Sequence, residues 1–253
     1  HLIDCCAPEE SHSVAQFVAA ARALLPAIRA RGRQPLLVGG TGLYFRRLEQ
    51  GIADIPPVPA DVRAGVAHDL ARLGPSALHA ALAAVDPASA ARIHPNDPQR
   101  VARALEVFRA SGRPFSAFLG SQAGPGWTLV KVVLAPPDRH HLDQRLAQRF
   151  DGMLERGFLN EVRLLRQRPG LTAAHPAMRA VGYREAWAHL DGELDRVTMV
   201  SKATDATRQY AKRQYTWFRR EERASWLDPA HPQSRGRLLA MLDETGRQAA
   251  EGV

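Results

Sequence analysis

Between Gln34 and Val38 the chain reads QPLLV, and Gly39-Gly40-Thr41 follows at once. A short continuous apolar run closed by turn residues fits a strand buried on both faces, as strands in parallel sheets are. Before it, Val14, Phe17, Val18, Ala21, Leu25 and Ile28 recur at helical spacing behind Ser13, a residue type suited to cap a helix, and Gly32 stops the segment. After it, Leu43 to Gln50 reads as helix again. Helix, buried strand, glycine turn, helix is the cadence of a parallel α/β layer.

Asp54 to Pro59 (DIPPVP) breaks that cadence, because three closely spaced prolines cannot continue a helix and make a stiff connection. From Asp61 to about Phe118 the pattern is one of short helices punctuated by Gly74, Pro75, Pro87 and Pro95. Gly120 to Gly126 reads as a loose loop, and Trp127 to Ala135 (WTLVKVVLA) returns to strand composition. Helices are then expected over Arg139 to Glu155, Leu159 to Gln167, Arg184 to Leu190 and Met199 to Arg223. The expected fold is α/β, with a core formed by residues 1–53 and 119–253 and a helical insertion over 54–118.

Thirty-four Lys plus Arg stand against 26 Asp plus Glu among 253 residues, a formal net charge of +8. That balance favours polyanionic partners such as nucleic acid. No apolar run approaches the roughly 18 to 20 residues needed to cross a bilayer, so no membrane role is expected. The two cysteines, Cys5 and Cys6, are adjacent, a spacing poorly suited to a disulfide, and no second pair completes a zinc site. Buried or half-buried reduced thiols in a cytoplasmic protein are expected. The ten histidines are scattered without metal-ligand spacing, so no transition-metal site is expected.

Four segments carry candidate chemistry. The Gly39-Gly40-Thr41 turn lies where ligands bind in open α/β sheets, at the carboxyl end of a strand. Its glycines permit close approach of a backbone or a base, and Thr41 offers a hydroxyl. A tight structural turn is the alternative. In the segment from His94 to Phe108, Asp97 is a suitable N-cap and Pro98 suits the first helical position. Val101, Leu105 and Phe108 form a burying face, while Arg100 and Arg103 lie near the helix start against the dipole. Placed there they gain nothing locally, so a phosphate partner and a merely solvated charged face are equally open readings.

Lys202 to Arg223 holds seven basic residues against three acidic ones. On a helix, Arg208, Lys212, Tyr215 and Arg219 fall within about 40° of one another. Tyr210 and Trp217 fall nearly opposite and are expected to pack inward. A basic stripe carrying an aromatic suits a nucleic-acid backbone with a base or sugar against Tyr215, and a snorkelling amphipathic helix is the alternative. Finally, Arg179 to Arg184 (RAVGYR) places Gly182 between two arginines at a helix start, where a phosphate can be held, although a turn with solvent-facing arginines is the commoner arrangement.

LLVGGTGLYF (Leu36 to Phe45), IHPNDPQRVARALEVF (Ile93 to Phe108), AVGYREAW (Ala180 to Trp187) and RQYAKRQYTWFR (Arg208 to Arg219) together resemble the motifs of the bacterial tRNA dimethylallyltransferase family, in order and with matching separations. The likeness runs from His1 to about Asp228. It implies a parallel-sheet core like that of P-loop NTPases with a helical insertion, gripping the tRNA anticodon stem-loop, and a monomer is expected. It also implies transfer of a dimethylallyl group from dimethylallyl diphosphate to the exocyclic amine of the adenosine 3′ of the anticodon, with Mg²⁺ as cofactor.

Carried over by position, Thr41 contacts the target adenosine or its neighbours. Gln99, Arg100, Val101, Ala102 and Arg103 contact tRNA, as do Arg179, Gly182, Tyr183 and Arg184. So do Arg208, Lys212, Arg213, Gln214, Tyr215, Trp217 and Arg219. Arg184 and Thr41 carry the catalytic expectation, with Arg184 neutralising the charge that develops on the departing diphosphate. The target base has to leave its stack to reach the donor.

The sequence departs from the family in two motifs, the G-P-T-x-S-G-K-T type P-loop and the following D-S-x-Q segment, neither of which occurs in it. The resemblance implies that these supply the diphosphate cradle and Mg²⁺ position, and the general base. The chain is therefore expected to lack an amino-terminal part, to transfer no prenyl group alone, and to keep some tRNA affinity if it folds. Uncovered apolar core and marginal stability are expected to accompany that loss. Two other readings stay open: a relative of P-loop nucleotide kinases, and a noncatalytic RNA-binding protein.

Overall fold

A computed structural model describes residues 1–119 and 129–251. The chain divides into two compact units, one formed by His1–Leu48 and Thr128–Val253 and the other by Glu49–Trp127.

The first unit opens with α1 (Val14–Ala30), whose start is fixed by a capping box. The Ser13 hydroxyl accepts the Gln16 N–H, and the Gln16 side chain returns to the Ser13 N–H. Gly32, at φ 66°, lets the chain leave the helix. α2 (Gly42–Gln50) follows the glycine turn, and Tyr44 stacks on Phe17 of α1 with ring centroids 4.6 Å apart. β1 (Val132–Leu134) and β2 (Ser225–Leu227) form a parallel pair, Val132 opposite Ser225 and Leu134 opposite Leu227. Between them run α6 (Arg139–Glu155), α7 (Phe158–Arg166), α8 (Tyr183–Leu190) and α9 (Arg196–Phe218), and α10 (Ser234–Glu251) closes the unit. Phe150, Phe158, Val162, Ala186, Met199 and Ala203 form the core of these four helices.

The second unit is helical. α3 (Ala60–Val85) is bent at Gly74, which sits at φ 81° just before Pro75. α4 (Pro87–Arg92), α5 (Pro98–Ser111) and a 3₁₀ turn (Phe115–Phe118) complete it. α5 starts with the Asp97 cap and Pro98 at its first turn, as the local sequence predicts, and ends at Gly112 in the left-handed region. Val66, Leu78 and Leu82 of α3 meet Val101, Ala104 and Leu105 of α5 in one apolar core.

Several expectations are corrected. Gln34 to Val38 has no regular structure and no strand partner among the described residues, and Leu36 and Val38 are 65% and 86% exposed. An apolar run is buried only as far as something covers it, and here Pro35 and Leu37 are half-buried while Leu36 and Val38 are not. The expected strand from Trp127 to Ala135 is reduced to Val132–Leu134. Its first two residues, like the loop Gly120 to Gly126, lie outside the described residues. Tyr210 is 42% exposed rather than packed inward, because the face buried by Met199 and Ala203 is not covered that far along α9. Cys5 and Cys6 are both exposed, in a stretch without regular structure. The fold remains a mixed α/β arrangement, mostly helical with a small parallel sheet.

Candidate nucleic-acid interface

The glycine turn and the basic helix α9 come together in the first unit. The Gln214 side-chain amide donates to the Gly40 carbonyl at 3.1 Å. A Cβ added to Gly40 would lie 2.1 Å from that amide nitrogen, and one added to Gly42 would lie 2.7 Å from the Trp217 ring. Two of the glycines are therefore explained first by the chain's own helix: they let the turn lie against α9. Thr41 sits between them, exposed, while its carbonyl accepts the Tyr44 N–H as α2 begins.

A charged node lies beside this contact. Glu221, on the turn between α9 and β2, receives Arg46 at 3.1 Å and Lys131 at 2.8 Å, with its side chain only 16% exposed. Desolvation pulls the Glu221 carboxyl upward, but the hydrogen bonds and charges of Lys131 and Arg46 outweigh it and hold it below the ordinary carboxylate value. The Arg46 guanidinium also lies 4.3 Å from the centre of the Trp217 ring, a cation–π distance.

Along α9 the predicted stripe is only partly a surface. Arg208, Lys212, Arg213 and Arg219 are exposed. Tyr215 is half-buried: its hydroxyl donates to the Pro136 carbonyl at 3.2 Å and its ring lies 6.0 Å from Trp226. Arg219 passes over the Tyr215 ring. Trp217 is half-buried against the glycine turn. Arg208 is held by Asp205 at 2.9 Å and approaches Asp143 at 3.7 Å. Leu142, Asp143, Arg208, Gln209, Ala211, Lys212 and Tyr215 line a cavity of about 230 Å³.

The RAVGYR segment forms a second cluster in the same unit. Gly182, at φ 93°, packs on Phe150 and Phe158, and a Cβ there would lie 3.4 Å from the Phe150 ring. The buried Glu185 carboxylate accepts the Gly182 N–H at 2.8 Å and also takes the Arg184 guanidinium. Arg184 is thereby oriented at the start of α8 while its side chain stays 61% exposed. Arg179 is exposed. Tyr183 donates to Glu161, and burial together with that carboxylate pushes its phenol up to about 12.

Gln99 to Arg103 lie on α5 of the second unit. Val101 is fully buried in the core there and Ala102 packs against it, so the side chains presented to solvent are those of Gln99, Arg100 and Arg103. Arg100 and Arg103 do have local partners, contrary to expectation. Arg100 pairs with Asp97 at 2.9 Å and Arg103 with Glu106 at 3.4 Å. Such exposed pairs are worth only about 0–1 kcal/mol and are readily exchanged for a phosphate. Sequence reasoning missed Arg46, Lys131, Glu221 and Trp226, whose roles arise from contacts between distant segments. Among the described residues no group of three His, Cys, Asp or Glu side chains is placed to hold a metal ion. No described helix is long and apolar enough to cross a membrane.

Comparison with known proteins agrees over nearly the whole chain. The family model described as IPP transferase matches residues 1–221. A tRNA dimethylallyltransferase of Xanthomonas axonopodis pv. citri is 50% identical over 236 residues, covering 90% of this chain and 72% of its own length. The crystal structure of a tRNA isopentenylpyrophosphate transferase from Bacillus halodurans superposes with a TM-score of 0.65 at 33% identity, covering 99% of this chain and 79% of its own. A eukaryotic dimethylallyltransferase, captured in crystallographic snapshots acting on tRNA, gives a TM-score of 0.70 at 27% identity over 86% of this chain and 55% of its own.

Proposed function

Since the chain belongs to the IPP transferase family, we propose that its reaction is transfer of a dimethylallyl group from dimethylallyl diphosphate to the exocyclic amine of the adenosine 3′ of the tRNA anticodon. In that reaction the carbon–oxygen bond to the diphosphate breaks as the nitrogen–carbon bond forms, and the amine gives up a proton. The observation that carries the reading is the docking of the Gly40–Thr41–Gly42 turn on a basic helix with exposed Lys212, Arg213 and Arg219. A polyanion drawn to α9 is brought beside the Thr41 hydroxyl, which is suited to contact the target adenosine or its neighbours.

Arg184 suits the leaving group. Glu185 uses one edge of its guanidinium, and the exposed remainder of its five N–H donors can meet the negative charge that builds on the diphosphate. Exposed Arg179, Arg100 and Arg103 add phosphate contacts that position the RNA. The resemblance implies Mg²⁺, but the described residues build no metal cage. What they contribute comes from arginines, amides and aromatic rings. A monomer is the proposed state, and the cytoplasm, where tRNA and prenyl diphosphates meet, the proposed location.

Binding of a synthetic anticodon stem-loop, measured against salt concentration, tests this reading. The logarithm of the affinity is expected to fall linearly with that of salt, with a slope of several units. Lys212→Ala and Arg219→Ala should each weaken binding and lower the slope by about one. Affinity independent of salt, or unchanged in both variants, would remove α9 from the interface. The 253 residues contain no G-x-x-x-x-G-K-[ST] loop, so binding without prenyl transfer is the proposed behaviour of this chain alone. Transfer from labelled dimethylallyl diphosphate would contradict it.

A further inference from the structure

Glu221 lies on the turn between α9 and β2 and has no place among the residues proposed to touch RNA or donor. It is nevertheless the only carboxylate given to two cations from distant parts of the first unit among the described ion pairs: Arg46 of α2 at 3.1 Å and Lys131, just before β1, at 2.8 Å. Both ends of its reach are tied to structure. The Lys131 carbonyl accepts the Ser225 N–H at 2.9 Å, beside the β1–β2 pair. Arg46 lies 4.3 Å over Trp217, and Trp217 is the ring against which Gly42 fits. A single side chain thus connects the sheet, the end of α9 and the helix that begins at the Gly40–Thr41–Gly42 turn.

We propose that Glu221 is a positioning residue for RNA binding: by holding the Arg46 guanidinium over Trp217, and Lys131 beside the sheet, it keeps the Thr41 turn docked on α9. The inference rests on the reading of α9 and the Thr41 turn as the RNA interface. Without the carboxylate, Arg46 loses the ion pair that holds its half-buried guanidinium over the ring. Trp217 then loses the contact that fixes its plane, and the turn it supports loses its seat.

The charge of Glu221 makes the proposal decidable. As a mere negative charge near a polyanion site it would oppose RNA, so its removal would tighten binding. As a positioning residue, its removal loosens binding. The full chain is titrated with a synthetic anticodon stem-loop by fluorescence anisotropy, well below the melting temperature of each variant. Glu221→Gln is expected to bind about tenfold more weakly than the parent chain. Combining Glu221→Ala with Arg46→Ala should cost no more than the worse single change, since both break one chain of contacts. Arg46→Lys, which keeps the charge beside Glu221 but lacks the planar guanidinium that can pair with the carboxylate and cover the indole together, should also weaken binding, and it decides the matter if Glu221→Gln does not fold. Equal or tighter binding by Glu221→Gln, or unchanged binding by Arg46→Lys, overturns the positioning role and leaves the RNA reading standing. Absence of salt-dependent binding by the parent chain overturns that reading, and the positioning role with it.

Discussion

Asp86→Ala is expected to destabilise the helical unit by about 3 kcal/mol, a large part of the roughly 5–15 kcal/mol that holds a typical domain folded. The Asp86 side chain is 1% exposed. One carboxylate oxygen accepts the Ser89 N–H at 3.0 Å and caps α4, and the other accepts the Ser116 N–H at 2.8 Å and ties the 3₁₀ turn to it. Removing the side chain leaves two inward-facing N–H groups without acceptors, each costing about 1–3 kcal/mol. Asp86→Asn keeps one acceptor oxygen and should cost less than Asp86→Ala. Desolvation raises the Asp86 carboxyl, but hydrogen bonds from Ser89 and Ser116 more than offset it, and folding lowers its proton affinity below the ordinary 3.8. Its stabilisation is accordingly complete well above pH 3.8 and is withdrawn as pH falls below that value toward the folded pKa. The gap in stability between the parent chain and Asp86→Asn should then narrow in acid. Thermal melts, with hydrogen exchange followed over residues 60–118, check both claims. Melting of Asp86→Ala within about 2 °C of the parent would show that the cap is not needed.

The elements that sequence alone places well are those whose signals are local. α1 has its cap, its apolar period and its stop within one stretch, from Ser13 to Gly32, and the start of α5 has Asp97 and Pro98. Gln34 to Val38 fails because burial is a property of what lies alongside, which apolar composition does not state. Tyr210 and Tyr215 fail for the same reason. An angle around a helix says which residues share a face, not how far along the helix that face is covered. The candidate site is legible as four motifs, but what joins them is not. Gly40 meets Gln214 across 174 positions and Arg46 meets Glu221 across 175, separations no periodicity reports. Sequence reasoning gave Gly39 and Gly40 a role in admitting a backbone or a base, whereas Gly40 first admits the chain's own Gln214, and Gly42 beside it Trp217.

Gly42→Ala puts that last point to the test, with an expected loss of about 2 kcal/mol in stem-loop affinity, roughly thirtyfold. Gly42 opens α2 without a positive φ, so alanine meets no backbone penalty and the effect comes from space alone. The added methyl would sit 2.7 Å from one indole carbon and 3.1 Å from the next. The ring cannot simply swing away, because Arg46 lies over it and is itself held by Glu221. The turn must therefore lift from α9 and carry Thr41 with it. Gly40→Ala provides the contrast. Its methyl would meet the Gln214 amide at 2.1 Å, a closer approach, but against the far end of a flexible side chain that can rotate aside at the cost of one hydrogen bond. The ordering by distance and the ordering by stiffness thus disagree, and stiffness is expected to win: Gly42→Ala should bind RNA more weakly than Gly40→Ala. Anisotropy titrations of the two variants with the same stem-loop give the answer. Equal affinities, or a larger loss at Gly40, would mean that Trp217 yields as easily as an amide and that the turn is not seated by the ring.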